Sequence, residues 1–180
     1  MHVPGTLLPR LAATALLVAP LAACGGDAEQ PTVLPARDRT SASSSPSPSA
    51  TGPAADVEAA VRAYYAALTE AARTNKPALL DGLVAAGCPC AAAGKVITGN
   101  VRSGRTTPDA EFVVRSVRPH DIEGDVAVAE VEYQASAYDV LGRSGDVVSS
   151  VDAHRSHLDL SLVRSPAGAW VITNVTDLEG

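Results

Sequence analysis

The chain has 180 residues, with 14 lysines and arginines against 20 aspartates and glutamates, for a formal net charge of −6. That balance gives no electrostatic footprint for nucleic acid or for anionic lipid. Hydrophobic residues make up 46% of the chain but aromatics only 3%, so a core is affordable while any pocket in it is small or alanine-lined.

An apolar run at residues 11–19 follows Arg10 and precedes Pro20 and Leu21-Ala22-Ala23-Cys24. The run is shorter than the roughly 20 residues a bilayer-spanning helix needs. A positive charge, a short apolar stretch, a helix breaker and small residues before a cysteine have the layout of a bacterial lipoprotein signal. Such a signal is cut before the cysteine, whose sulfur then carries diacylglycerol. The expectation is a signal peptide over residues 1–23, lipidation at Cys24 and a chain held on the outer face of the cell membrane. Two or three acyl chains anchor stably where one does not. The competing reading is an ordinary secretory signal with a cysteine nearby. Cleavage would remove Arg10 and no acid, leaving the rest one charge more negative.

Residues 24–54 read as a tether. They include Ser41-Ala42-Ser43-Ser44-Ser45-Pro46-Ser47-Pro48-Ser49 and almost no large apolar side chain, too little to offset the entropy of ordering. As a flexible coil the segment spans roughly 30 Å, and fully extended about 90 Å. Residues 55–180 have the length of one domain.

The first predicted element of that domain is a helix over residues 56–73, with Val57, Val61, Tyr64, Leu68 and Ala71 on one face. Asp56 and Glu58 suit its N-terminal dipole and Arg73 its C-terminal one. Pro77 opens a short second helix carrying Leu79, Leu80, Leu83 and Val84, and residues 90–97 form a short third. Residues 98–109, with glycines, Asn100 and Pro108, read as a loop.

The apolar period then changes to two. Residues 111–118 are a strand, and residues 125–139 a long one, with Ala127, Ala129, Val131, Tyr133, Ala135 and Ala137 on one face and Glu130, Glu132 and Gln134 on the other. Residues 147–164 form a third strand, bent or bulged, and residues 169–175 the last, with Trp170 and Ile172 on one face. Helices followed by a strand meander predict an α+β domain, with the helices on one face of an antiparallel sheet of about four strands.

Lipidation leaves Cys88 and Cys90 as a pair, and an exported chain permits a disulfide between them. Across one residue the Cα separation is expected near the upper end of the usual range of about 4.4–6.8 Å, and such a bridge would be strained. It would add little loop entropy. An inert bridge, a redox dithiol, and free thiols or a metal contact all remain open, the first favoured by the absence of a thioredoxin-like βαβ pattern.

His154 and His157 would pair on a metal only on a helix, because on a strand they face opposite sides. Asp152 shares a face with His154, and Asp159 with His157, but no third and fourth ligand has convincing spacing. His120-Asp121 is expected in a solvated turn between strands. No nucleophile elbow or phosphate-binding glycine loop occurs. No metal, cofactor or catalytic set is therefore expected.

Three passages carry a resemblance. They are the opening helix with Val61, Tyr64-Tyr65 and Leu68 followed by Pro77 and Leu79-Leu80, the turn and strand Gly124-Asp125-Val126-Ala127-Val128, and the closing Gly168-Ala169-Trp170-Val171-Ile172. Together they resemble the nuclear-transport-factor-2-like superfamily, the cone-shaped fold of steroid isomerases and SnoaL-type polyketide cyclases. The two-lysine, arginine- and alanine-rich composition resembles high-GC actinobacterial sequences. The Cys88/Cys90 pair after the helices is similar to that of a group of actinobacterial lipoproteins of uncharacterised function.

The resemblance implies a conical pocket touched by Tyr64, Tyr133 and Trp170, open to a small apolar ligand or an envelope protein, and a homodimer through the sheet. An isomerase would need an acid among the tyrosines, and only Asp139 lies near that face. A non-enzymatic ligand-binding or interaction module is thus expected, with an isomerase or cyclase-type enzyme as the alternative. A cone closed by leucine would leave contact through the outer sheet face.

Overall fold

A computed structural model describes residues 51–178. The predicted signal, Cys24 and nearly all of the tether lie outside the described residues.

Helix α1, Pro53–Thr74, starts earlier than its apolar pattern because Pro53 occupies the first turn, where a missing N–H costs nothing. Asn75, in the left-handed region at φ 55°, ends it. The predicted face is buried: Val57, Val61, Tyr64, Leu68 and Ala71, joined by Tyr65 and Ala72. The short second helix is a single 3-10 turn, Pro77–Leu80, so Leu83 and Val84 lie beyond it.

The third helix is longer than predicted. A 3-10 turn, Pro89–Ala91, leads into α2, Ala92–Ser103, which takes in half of the expected loop. The Thr98 and Ser103 hydroxyls donate to the carbonyls of Gly94 and Gly99 at 2.8 and 2.9 Å, so these polar residues sit inside the helix. Gly104, at φ 66°, stops it. No described helix is long and apolar enough to cross a membrane.

Six strands follow: β1 Phe112–Glu123, β2 Val126–Ala135, β3 Tyr138–Leu141, β4 Val147–Val151, β5 His154–Arg164 and β6 Trp170–Asp177. Four of them form the antiparallel sheet β1-β2-β5-β6, and β3-β4 form a separate pair. Three expectations are corrected here. His120 and Asp121 lie inside β1 rather than in a turn, next to an irregularity between His120 and Glu123. The long second strand breaks after Ala135, where the Ser136 N–H donates to the Glu111 carbonyl, and Ala137 is exposed rather than on the core face. Residues 147–164 are two strands, divided at Asp152-Ala153. Register shifts between Val114 and Ser116, and between Ser161 and Leu162, bend the main sheet.

Helix α1 packs on β1, β2 and β6. The core lies between helix and sheet. Ala127, Ala129 and Val131 of β2, Leu160 and Leu162 of β5, and Trp170 and Ile172 of β6 are buried there with the apolar face of α1. The pairing Ala127↔Leu162↔Ile172 sets a leucine between a small and a branched neighbour, so bulky and small side chains interlock. Thr107 is the buried polar side chain among the described residues, and its hydroxyl donates at 2.9 Å to the Ala72 carbonyl near the end of α1.

Residues 83–85 run beside β6. The Ala85 N–H donates to the Ile172 carbonyl at 2.8 Å, and the Ile172 N–H to the Leu83 carbonyl at 3.0 Å. This contact holds the cysteine-bearing turn against the sheet edge.

Candidate functional site on the outer face of the sheet

Strand alternation gives the main sheet a second face, on which neither described helix packs. The register places Glu130 and Glu132 of β2 beside Asp159 and His157 of β5, with Ser116 and Arg118 of β1 on the other side. The irregularity at Arg115 adds a further guanidinium, whose Nη2 donates to Gln134 Oε1 at 2.6 Å. Arg155 is exposed beside Gln134. The result is a patchwork of opposite charges drawn from three strands.

Glu130 is its hub. Its Oε1 accepts from His157 Nε2 at 2.9 Å and from Arg118 Nη1 at 3.0 Å. The His157 bond first, then the Arg118 charge, hold the Glu130 carboxyl below its ordinary range, against the opposing effect of desolvation. One strand further along, His120 contacts Asp121 Oδ2 through Nδ1 at 2.9 Å and Asp159 Oδ1 through Nε2 at 3.4 Å. The Asp121 hydrogen bond is the largest cause raising the His120 imidazole, with desolvation opposing and Asp159 adding to the rise.

The two shifts have opposite consequences for stability. Glu130 is lowered, so its contribution is complete above its ordinary value of 4.5 and is lost as pH falls through the folded value. His120 is raised, so its contribution is complete below 6.5 and is lost as pH rises through the folded value. Glu130→Gln is therefore expected to flatten the acid side of the stability profile, and His120→Gln the side above 6.5. Urea titrations across pH check both. Parallel profiles for either variant and the parent would contradict the assignment.

Glu130, Glu132 and His157 offer ligand atoms that all lie within 4.8 Å of one another. Two carboxylates and an imidazole are a donor set for a divalent cation. Yet Glu130 Oε1 is already engaged twice, and the guanidinium of Arg118 stands 3.0 Å from it. A cation at this place would have to displace these contacts. A cavity of about 520 Å³ opens at this place, lined by Arg115, Glu132, Tyr133, Arg155, Ser156 and His157.

The predicted pocket residues are divided. Tyr64 and Trp170 are each 6% exposed and belong to the packed core. Tyr133 sits toward the Ala135 end of β2, with its ring centroid 4.8 Å from that of Tyr65. Trp170 sits at the other end, paired with Arg164, whose guanidinium lies 4.8 Å from the indole centroid. Burial, then the nearby Tyr133, pushes the Tyr64 phenol up to about 12, and burial raises Tyr65 further. Both stay neutral at physiological pH. No acid is among the buried side chains of the described residues, and Asp139 is exposed, accepting from the Ser150 hydroxyl at 2.6 Å. His154 and His157 divide between faces as expected for a strand: His157 joins Glu130, and His154 stands near Tyr133, with ring centroids 6.3 Å apart.

The remaining predicted pair, Cys88 and Cys90, forms a disulfide. Its Cα separation is 5.1 Å, well inside the usual range rather than near its upper end, because the 3-10 turn at Pro89 folds the two residues toward each other. The charged cluster itself was not singled out from sequence. Alternation put Glu130 with Glu132, and His157 with Asp159, but only strand pairing joins the two sets.

No protein-family model and no curated protein matches this chain. Solved structures do. The intermembrane space region of the chloroplast protein ARC6 aligns over 72% of this chain and 98% of its own, with a TM-score of 0.52 and 12% identity. A nuclear transport factor 2-like superfamily protein from Salmonella enterica serovar Typhimurium aligns over 68% and 87%, with a TM-score of 0.47 and 14% identity. An uncharacterised protein with a cystatin-like fold from Caulobacter vibrioides aligns over 68% and 87%, with a TM-score of 0.46 and 17% identity. What the likeness to the ARC6 region establishes is the architecture, an α+β domain with helices on one face of a curved antiparallel sheet.

Proposed function

We propose that this protein is a membrane-anchored, extracytoplasmic module that binds rather than catalyses, and that the outer face of its sheet is the recognition surface for another envelope protein. One observation carries the reading. The core between α1 and the sheet holds no buried acid, while the outer face presents the Arg118–Glu130 pair and, beside it, an open cavity lined by Arg115, Glu132, Arg155 and His157. Interleaved charges of both signs favour a partner of complementary pattern and reject a uniformly charged one. The anchor rests on the motif ending in Cys24, and the tether would let the domain search a volume near the membrane.

Two measurements test this. The intact mass of the protein extracted from bacterial membranes should equal residues 24–180 plus acyl groups, and Cys24→Ser should move it to the soluble fraction. An unmodified mass would remove the anchor. In cells, a photo-crosslinking residue at Arg155 or Asn174 should capture a defined protein, and one at the exposed Ala59 of α1 should not. A product at twice the protein's own mass would identify the partner as a second copy. Equal capture from both faces, or none from the sheet, would end the surface assignment.

A further inference from the structure

The disulfide in the turn before α2 has features of an exchange site rather than a clip. It closes a loop with one intervening residue, so it removes little freedom from the unfolded chain. The turn is already closed by backbone bonds, from the Cys88 N–H to the Ala85 carbonyl and from the Ala91 N–H to the Cys88 carbonyl, both 3.0 Å.

The two sulfurs are not equivalent. Cys88 is 5% exposed and packs in the core cluster, whereas Cys90 is partly exposed between the exposed residues Pro89 and Ala92. Cys88 Sγ accepts the Cys90 backbone N–H at 3.1 Å. That bond caps the start of the 3-10 turn that continues into α2, where the peptide dipoles favour negative charge. Cys90 Sγ instead lies 4.0 Å from the Ile172 carbonyl oxygen, a neighbour that disfavours an anion. A cavity of about 730 Å³ opens next to the turn, lined by Leu80, Asp81, Ala86, Ala91, Lys95 and Arg102, and the cysteines lie outside its lining. It offers apolar wall and two cationic side chains, Lys95 and Arg102, against one acid, Asp81.

We propose that Cys88 and Cys90 are a thiol–disulfide exchange site that accepts electrons from a partner dithiol, a cysteine-containing polypeptide that docks at this turn. A partner thiolate forms a bond to the accessible Cys90 sulfur as the Cys88–Cys90 bond breaks, and the electron pair of that bond stays on Cys88. The partner's second thiolate then attacks its own sulfur in the mixed disulfide, and Cys90 leaves as a thiolate. The partner loses two protons and two electrons and becomes a disulfide, and Cys88 and Cys90 gain them and become thiols. The activity needs neither the membrane anchor nor the outer sheet face, so its failure would leave the recognition proposal standing.

The test uses the full-length protein and reduced glutathione as the probe. After exposure to excess glutathione under native conditions, acid quench and digestion, the glutathione adduct is mapped by mass, which separates Cys24 from the pair. The expected result is an adduct on Cys90 at least tenfold more abundant than on Cys88, with near-ultraviolet circular dichroism of the fully reduced protein unchanged. Cys88→Ser, which leaves Cys90 as a thiol, should accumulate the Cys90 adduct when oxidised glutathione is supplied instead, with one glutathione leaving as its thiolate, because the resolving sulfur is gone. Resistance to glutathione until the protein is denatured, adduct mainly on Cys88, or loss of the folded signal on reduction would each overturn the proposal.

Discussion

Val61→Asp is expected to leave the domain largely unfolded at neutral pH. Val61 is 0% exposed, in the middle of α1, within the cluster that α1 forms with the sheet. The apolar neighbours offer a carboxylate no partner, so the residue must either stay ionised in an apolar site or bind a proton at a cost. Unpaired buried charges belong to the small class of substitutions that cost about 4–5 kcal/mol or more, against a total stability of about 5–15 kcal/mol for an ordinary domain. The penalty should ease as the medium is acidified toward the carboxyl's own titration, a dependence that a steric effect lacks. Truncation of the adjacent exposed Arg62 to alanine removes only an i,i+4 pair with Glu58 and should cost about 0.5 kcal/mol or less. Urea unfolding followed by far-ultraviolet circular dichroism compares them. A Val61→Asp protein unfolding within about 1 kcal/mol of the parent would mean that α1 does not bury this face.

Leu162→Ala should cost about 3–5 kcal/mol, near the top of the range for such truncations. Leu162 is fully buried, and its cross-strand neighbours are Ala127 and Ile172. An alanine neighbour has no side chain to swing into the void, and Ile172 is tied at its backbone to Leu83 and Ala85, so the site collapses poorly. Leu162→Met, close in volume, should cost less than about 1.5 kcal/mol. Equal losses for the two variants would show that the leucine's packing is not what matters there.

These two residues also mark what sequence alone could supply. The face of α1 and the alternation of β2 were legible because each element has one wet side, which stamps a period on the apolar residues. The extent of α2 was not, because Ile97 is its one buried residue and Gly99 and Asn100 are poor helix formers. Gly104, at φ 66°, was the stop signal that could have set its end. The expected first strand stopped at Arg118, with His120-Asp121 in a turn, yet β1 runs on through Pro119 because it is at an edge, where proline is tolerated. The charged hub on the outer face joins Glu130 to His157 across 27 positions. Its existence depends on register, which no single strand's composition carries.

The edges of the main sheet have a consequence of their own. At β6, Leu83 and Ala85 already occupy the backbone groups of Ile172. At β1, Pro119 lacks an N–H, and irregularities follow Val114 and His120. A foreign strand laid along either side meets missing rungs and a backbone turned out of line. Lateral growth of the main sheet is therefore opposed at both sides, and what that sheet offers a neighbour is its side chains rather than its ladder.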